Sequence, residues 1–547
     1  MQDGGTFDYI VAGAGSAGCV LANRLSADPK NRVLVLEAGG DDNWIWFHIP
    51  VGYLFAIGNP RADWMFKTEP EAGLSGRSIA YPRGKVIGGC SAINAMIYMR
   101  GQAADYDGWR QLGLSGWGWD DVLPYFLKQE GHAAPPNALH RGDGEWRVDY
   151  PRMRWDILDR FQDAAEQVGI AKIDDFNTGN NEGSSYFQVN QKNGRRWSAA
   201  RGFLKPVLGR PNLRLETGAL IERVIVENGR ATGIVYTKDG TQFLAKANAE
   251  IVLSAGAVAT PQILQLSGIG AGAFLQSHGI PVAQNLPGVG ENLQDHLQIR
   301  PVYKVKNVRT LNADYQSYVK RALMAAEYAL FRRGPLTMAP SQLGAFTRSS
   351  PDYATPNLQF HIQPLSLDKF GDPLHPFPAF TASVCNLRPV SRGSIRIRSK
   401  DAHDAPLIAP NYLSTEEDRR VAADALKLVR KIVSQPALKP YEPEEYKPGA
   451  HFQSEEELAI AAGQIASTIF HPVGTAKMGA DDDKMAVLDG RLRVRGIQGL
   501  RVADASAMPR ITSGNTNAPT MMIAEKGAAM ILQDMKASTL KMDTKTL

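Results

Sequence analysis

The sequence predicts an α/β fold that begins with a βαβ unit and continues into a second domain. An apolar run over residues 7–12 leads into spaced glycines, a helical pattern follows over residues 16–25, and a second apolar run covers residues 32–37. Short apolar runs without alternation are typical of parallel strands buried on both faces. A chain of 547 residues is also longer than one hydrophobic core usually supports.

The glycines after the first strand have the spacing of a dinucleotide-binding turn. Gly13, Gly15 and Gly18 form G-x-G-x-x-G, which permits a tight turn, the approach of a pyrophosphate and close packing of helix on strand. Glu37 ends the second strand, where its carboxylate can accept hydrogen bonds from ribose hydroxyls. An ordinary glycine-rich turn is the alternative. Glu37 would repel a 2′-phosphate, which argues against NADP but does not separate FAD from NAD.

The later parts of the chain differ from the first in their pattern of apolar and charged residues. We expect a buried strand over residues 250–254 and a helix over residues 260–267. Residues 300–465 mix strand-like runs with charged helices such as 415–434, which indicates a second domain. A last helix is expected from Pro519 to Met530, because proline is well tolerated in a first helical turn.

Composition excludes several classes of protein. The net charge is +5, and without a dense basic run nucleic-acid binding is not expected. Cys19, Cys90 and Cys385 lie far apart, which predicts neither disulfides nor a metal site. No apolar run approaches the ~18 residues that a membrane helix needs, and no signal peptide is visible. The expected location is the cytoplasm.

Further motifs resemble those of one enzyme family, the glucose–methanol–choline oxidoreductases. They occur in family order along nearly the whole chain. They begin with GKVIGGCSAIN at residues 84–94 and GAVATPQILQLSGIG at residues 256–270, which are similar to the two family signatures. The others are PGVGENLQDH at 287–296, NLRPVSRGSIRIRS at 386–399, HPVGTAKMG at 471–479, VADAS at 502–506 and SGNTNAP at 513–519.

The resemblance implies an FAD-binding, Rossmann-like α/β domain and an α+β substrate domain with an antiparallel sheet. The FAD domain would be discontinuous, over residues 1–155, 206–298 and 466–540, and the substrate domain would take residues 156–205 and 299–465. Some relatives link FAD covalently to a histidine, but the matching position is Ile93, so non-covalent FAD is expected. We expect Cys90 to be a buried, inert thiol.

The resemblance also points to a catalytic pair. His471 is the expected base, because a neutral imidazole suits proton transfer near physiological pH. Asn515 is its expected partner, whose amide would hold the substrate oxygen. The alternatives are a structural histidine and an asparagine that caps the following helix. Phe470 is expected to line the substrate pocket, whereas His361 is interpreted as structural.

The expected contacts to FAD carry over by position. For Val86, Ile97 and Ile221, plain core packing is the alternative. The full set comprises Gly13, Gly15, Ser16, Ala17, Gly18, Glu37, Ala38, Val86, Gly89, Asn94, Ile97, Ile221, Asp504, Ala505, Asn517 and Thr520.

The resemblance implies oxidation of a primary alcohol to an aldehyde by hydride transfer to the flavin N5. The electron acceptor, O2 or a quinone-type molecule, stays open, as does the oligomeric state, with a homodimer as one candidate. A cyanohydrin-cleaving lyase on the same scaffold is the main alternative. A fatty-acid photodecarboxylase and a flavin-binding protein without catalysis are the others, and the pair His471 and Asn515 argues against both.

Overall fold

Two β-sheets organise the chain in this computed structural model, which describes residues 1–369 and 371–543. The first sheet has seven strands and combines parallel and antiparallel pairs. Its order is Leu213–Thr217, Val33–Glu37, Gln2–Ala12, Thr241–Leu253, Arg230–Lys238 and Leu220–Glu227, and Leu500–Val502 pairs with Thr241–Leu253.

The predicted βαβ unit forms the centre of this sheet. Gln2–Ala12 runs parallel to both neighbours, and its last residues are buried on both faces. The helix Ser16–Leu25 has the predicted bounds, and the second strand begins at Val33. Gly18 packs so tightly that an added Cβ would lie 1.8 Å from the carbonyl oxygen of Gly13. This contact sets how closely the helix approaches the preceding turn.

The second sheet has eight strands joined by antiparallel pairs, as the fold class predicts. The helices Asp156–Gln167, Glu416–Val433 and Glu455–Ile465 share one hydrophobic core with it. The order is Glu444–Lys447, Val302–Lys304, Ala379–Asn386, Leu358–Gln363, Leu343–Thr347 and Gly183–Tyr186. Leu297–Ile299 also pairs with Ala379–Asn386, and Ser467–Thr468 pairs with Leu297–Ile299.

Two helices differ in extent from the sequence prediction. The helix expected from residue 260 begins at Gly256, and the one expected from Pro519 begins at Asn517 and continues to Asp543. The remaining helices are Tyr53–Ala56, Ala103–Gln111, Trp119–Gln129, Gly272–Ser277, Leu311–Tyr315 and Tyr318–Phe331. Short strand pairs are Glu130–His132 with Trp146–Val148, Gln191–Lys192 with Arg195–Arg196, Ile269–Gly270 with Gln284–Asn285, and Ser394–Arg396 with Leu407–Ala409.

The loop that follows the strand Ser467–Thr468 leads from the second sheet towards the first. Leu297–Ile299 pairs with Ser467–Thr468, and the chain then passes through a loop at residues 469–472 towards the first sheet. The helix Asn517–Asp543 packs along Ser16–Leu25. Within residues 1–369 and 371–543, no helix is both long and apolar enough to cross a membrane.

Candidate active site

A deep cleft lies between the carboxyl edge of the first sheet and the second sheet. Its wall includes Gly13 and Glu37 from the βαβ unit, Gln298 and His361 from the second sheet, and the loop that carries His471. The cleft contains about 1990 Å³ of empty space, solvent at its opening included. Its wall draws on both sheets and on the C-terminal segment, and ligand sites are commonly found in clefts between such units.

The βαβ turn forms a cradle that fits a pyrophosphate. Gly13 has a φ of 102°, which only glycine adopts easily, and the helix starting at Ser16 has no side-chain cap. A Cβ on Gly15 would have no atom nearer than 3.9 Å, so its backbone faces open space. The first backbone N–H groups of a helix without a cap attract anions, and a phosphate suits this position.

Glu37 is placed to receive a ribose. Its carboxylate is buried in the cleft wall and accepts hydrogen bonds from Ala14 N at 2.9 Å and Gly39 N at 2.8 Å. Each oxygen therefore keeps a lone pair for a further donor. Burial raises the pKa of Glu37 to about 7, although the two backbone donors oppose this rise. A ribose hydroxyl that donates to the carboxylate would favour its charged form.

The last helix closes the same cradle from the far end of the sequence. Ser16 Oγ donates to Asn517 Oδ1 at 2.6 Å, which joins the first residues of two helices. Asn517 and Thr520 both line the cleft. The positive end of the helix Asn517–Asp543 is therefore directed at the cleft, where it favours negative charge on a bound group.

Asp504 organises the cleft wall through its carboxylate. Oδ1 accepts from Ser506 N and Ser506 Oγ at 2.8 and 2.5 Å, and Oδ2 accepts from Gly256 N and Thr260 Oγ1 at 2.8 and 2.6 Å. Burial raises the pKa of Asp504, and these donors oppose the rise. Protein groups therefore occupy both carboxylate oxygens, and Asp504 and Ala505 lie in the cleft wall. The carboxylate also explains why the helix begins at Gly256.

The predicted catalytic pair is in contact. Asn515 Nδ2 lies 3.1 Å from His471 Nε2, and His471 Nδ1 lies 3.0 Å from His296 Nδ1. His296 Nε2 lies 3.1 Å from the carbonyl oxygen of Leu387. Since a carbonyl only accepts, His296 Nε2 carries a hydrogen and its Nδ1 accepts. His471 must then donate from Nδ1, which leaves a lone pair on its Nε2.

Gln359 fixes the orientation of the asparagine amide. Gln359 Nε2 donates to Asn515 Oδ1 at 3.2 Å, so the amide N–H2 group is turned towards His471. The helix that follows begins at Asn517, two residues after Asn515, and both roles considered for Asn515 stay predictions. The chain of contacts runs from Leu387 through His296 and His471 to Asn515 and Gln359 and contains no charged group.

Burial keeps this chain neutral. It lowers the pKa of His296 to about 4 and the pKa of His471 well below its ordinary value, with smaller effects on His471 from His296, His361 and Arg83. Asp295 holds the His471 backbone, because its Oδ1 accepts from His471 N at 2.8 Å and its Oδ2 accepts from Thr468 Oγ1 at 2.6 Å.

Phe470 precedes the histidine in a strained conformation. Its φ is 71°, in the left-handed region that bulky residues rarely adopt. Phe470 N donates to Thr468 Oγ1 at 2.7 Å, and Arg83 donates to the Phe470 carbonyl at 2.8 Å. These contacts stabilise a turn that places both Phe470 and His471 in the cleft wall. Backbone strain of this kind is often found at functional sites.

The structure brings most of the predicted ligand contacts to one cleft. Gly18 and Val86 lie outside its wall, and both are packed in the interior. The predicted residues in the wall are Gly13, Gly15, Ser16, Ala17, Glu37, Ala38, Gly89, Asn94, Ile97, Ile221, Phe470, His471, Asp504, Ala505, Asn515, Asn517 and Thr520.

Some sequence interpretations need correction or extension. We expect Cys90 to be buried from the sequence, but it is only partly buried, because the turn at Gly89 and Cys90 forms part of the cleft wall. His361 also lines the cleft and packs on Phe187 with ring centres 5.2 Å apart. Sequence reasoning assigned no role to Asp295 or His296. The adjacent Asp295 and His296 were a usable signal, since polar pairs in a buried loop need partners.

Comparisons with known proteins agree with this geometry. Residues 7–298 and 389–524 each match a family model described as GMC oxidoreductase. The chain is 41% identical over 538 residues to the alcohol dehydrogenase (acceptor) of Pseudomonas putida. The aligned region covers 98% of this chain and 97% of that protein. It is 40% identical over 532 residues to the mitochondrial choline dehydrogenase of Mus musculus, which spans 96% and 89%.

A solved structure has the same fold. The FAD-dependent oxidoreductase from Chaetomium thermophilum superimposes with a TM-score of 0.89 at 28% sequence identity. The match covers 97% of this chain and 100% of that chain.

The two glycines of the turn separate folding from ligand binding. We expect Gly15→Ala to leave the fold intact but to weaken cofactor retention, because its methyl group would enter the space that a pyrophosphate needs. Gly18→Ala is expected to destabilise the protein itself by about 3 kcal/mol or more, since its Cβ overlaps Gly13. Thermal unfolding and bound-cofactor absorbance measure both effects. Equal losses of stability in both variants would contradict this division.

Proposed function

Because the chain belongs to the GMC oxidoreductase family, we propose that it uses His471 as the base in oxidising an alcohol. The enzyme is an FAD-dependent oxidoreductase that acts on CH–OH donors, and FAD is its non-covalent cofactor. The βαβ cradle, the ribose position at Glu37 and the helix end at Asn517 fit this group. Ile93 lines the cleft with a hydrocarbon side chain that cannot form a covalent link.

The contact between His471 Nε2 and Asn515 Nδ2, with the His471 hydrogen on Nδ1, is the observation that carries the proposal. A hydroxyl placed against both residues would donate to Nε2 in place of the asparagine amide and accept from the asparagine N–H2 group. Bound FAD supplies the site that accepts the hydride from the alcohol carbon, which leaves a carbonyl product. After proton transfer, His471 donates from both ring nitrogens, and His296 Nδ1 accepts one of these hydrogen bonds. His296 is therefore a positioning residue.

The wall around His471 favours an uncharged, apolar primary alcohol. The carboxylates in the described wall are Glu37, on the strand Val33–Glu37, and Asp504, just after the strand Leu500–Val502, and protein donors hold both. A quaternary ammonium would be desolvated without a counter-charge, with Arg83 adding like charge. Apolar side chains line the cleft instead, namely Tyr53, Ile57, Trp64, Phe66, Met96, Ile469 and Phe470.

Three finer features of the prediction stay proposals. We infer that the electron acceptor is O2 or a quinone-type molecule, in line with relatives whose names include an acceptor-linked alcohol dehydrogenase. We keep the cytoplasm as the expected location and the domain ranges 1–155, 206–298 and 466–540 with 156–205 and 299–465. The first sheet and the second sheet draw their strands mainly from these two sets, and Leu297–Ile299 and Ser467–Thr468 join them.

Replacing the base tests its assignment. His471→Ala is expected to slow reduction of the bound FAD by alcohol about 10²–10⁴-fold, which is the usual contribution of a general base. His278→Ala is the matched control, because His278 lies at the end of the helix Gly272–Ser277, outside the cleft wall. Anaerobic stopped-flow absorbance measures the rate, and the spectrum before mixing reports FAD content. A normal rate in His471→Ala would contradict the assignment.

The pH dependence follows from the direction of the His471 pKa. Because burial lowers this pKa below 6.5, the folded protein keeps the imidazole neutral and able to accept a proton as the pH falls through 6.5. The rate of flavin reduction should therefore stay level across this range and decline only at distinctly lower pH. An anaerobic rate–pH profile measures this. A decline with an apparent pKa of 6.5 or higher would rule out the neutral hydrogen-bond chain.

A substrate panel tests the inferred alcohol class. Aliphatic and aryl primary alcohols should reduce the FAD with kcat/KM values about tenfold or more above that of choline, because the wall offers apolar contact and no carboxylate for an ammonium. 3,3-Dimethylbutan-1-ol is the matched control, since it has the shape of choline without its charge. Preference for choline over this alcohol would overturn the inferred class while leaving His471 as the base.

A further inference from the structure

The helix Tyr318–Phe331 exposes an unusual amount of apolar surface. Its side chains include some of the most exposed large apolar groups in the described chain, and five of them are between 63% and 79% exposed. These five are Tyr318, Val319, Leu323, Leu330 and Phe331. Contiguous exposed apolar patches mark interaction sites in soluble proteins.

The helix is attached to the protein along a narrow edge. Met324 and Tyr328 are its buried residues, and Tyr328 Oη donates to the carbonyl of Gly194 at 3.1 Å. The remaining faces carry small and large apolar side chains with Glu327 as the acidic residue. An exposed helix face this rich in large apolar side chains is stabilised when another apolar surface covers it.

Basic residues flank the apolar surface at both ends. Lys320 and Arg321 lie in the first turn, and Arg332 and Arg333 follow the last. Lys320 Nζ pairs with Asp314 at 2.8 Å, and the guanidinium of Arg332 lies 4.9 Å from the ring centre of Tyr328. Long basic side chains can bury their stems beside apolar groups and keep their charges at a polar boundary.

We propose that the helix Tyr318–Phe331 docks this enzyme on an anionic lipid surface. The apolar side chains would enter the boundary between headgroups and acyl chains, and the flanking basic residues would contact lipid phosphates. The arrangement of apolar centre and cationic ends matches such a surface in both chemistry and charge.

The charge pattern argues for lipid over a second copy of this chain. In a symmetric pairing of two such helices, the basic ends of one helix face basic ends of the other, whether the helices run parallel or antiparallel. Glu327 alone offers a negative charge on each helix. An anionic bilayer has no such conflict, because it presents negative charge to all the basic residues together.

The docking helix is also joined to the cleft. The chain leaves Phe331, forms the short turn Pro335–Thr337 and reaches Pro340 and Ser341 in the cleft wall. Pro50–Gly52 packs on that turn and leads into Tyr53, which lines the cleft as well. An apolar alcohol dissolved in the lipid would thus be concentrated beside the wall of the active site.

Vesicle co-sedimentation of the FAD-loaded enzyme tests the proposal. The protein should bind vesicles of phosphatidylcholine with phosphatidylglycerol, bind phosphatidylcholine alone more weakly, and be released by salt. The combined variant Leu323→Ser, Leu330→Ser and Phe331→Ser should lose binding. Lys320→Gln with Arg333→Gln should weaken it roughly 25-fold, since each basic residue contributes about fivefold.

Controls separate docking from folding and from self-association. Ile460→Ser removes an exposed apolar side chain from a different helix, Glu455–Ile465, and should bind vesicles as the parent does. All these variants should oxidise a water-soluble alcohol at the parental rate, because none of the changed residues lines the cleft. Light scattering reports the mass in solution. Failure of the parent to bind, unchanged binding of the triple variant, or a triple variant that changes only the oligomeric mass would overturn the proposal.

Discussion

The neutral hydrogen-bond chain from Leu387 to Gln359 is the interaction on which the catalytic arrangement depends. It begins at a carbonyl beside the second sheet, which can only accept, and every later donor and acceptor follows from that constraint. Its members come from the second sheet, from the loop at residues 469–472 and from the C-terminal segment, so the lone pair is held on His471 Nε2 only when these parts are docked together. The docking of these parts therefore fixes the tautomer of the base.

Desolvation acts in opposite directions on the two kinds of titratable group in the cleft. It keeps the buried histidines uncharged, and it raises the pKa of Glu37, Asp295 and Asp504. Protein N–H and O–H groups donate hydrogen bonds to these carboxylates and offset the cost of burying them. Each carboxylate thereby fixes the position of a nearby backbone segment. The same low-dielectric surroundings make the cleft suitable for an uncharged substrate.

Local features of the fold could be predicted from the sequence, and contacts between distant segments could not. The helix Ser16–Leu25 follows from glycine spacing and apolar periodicity, which act over a few residues. The start of the next helix at Gly256 was misplaced because its stabilising carboxylate is Asp504, far away in the chain. His471 and Asn515 came from motif resemblance, but the partner His296 needed three-dimensional proximity across 175 residues.

The hydrogen bond between Ser16 and Asn517 has a consequence for biosynthesis. The cofactor cradle includes Ser16, yet one wall of it is made by a helix that begins 501 residues later, at Asn517. A nascent chain thus carries an incomplete cradle until that helix has been synthesised. A chain that terminates before Asn517 would lack this wall of the cradle, however well the earlier segments fold.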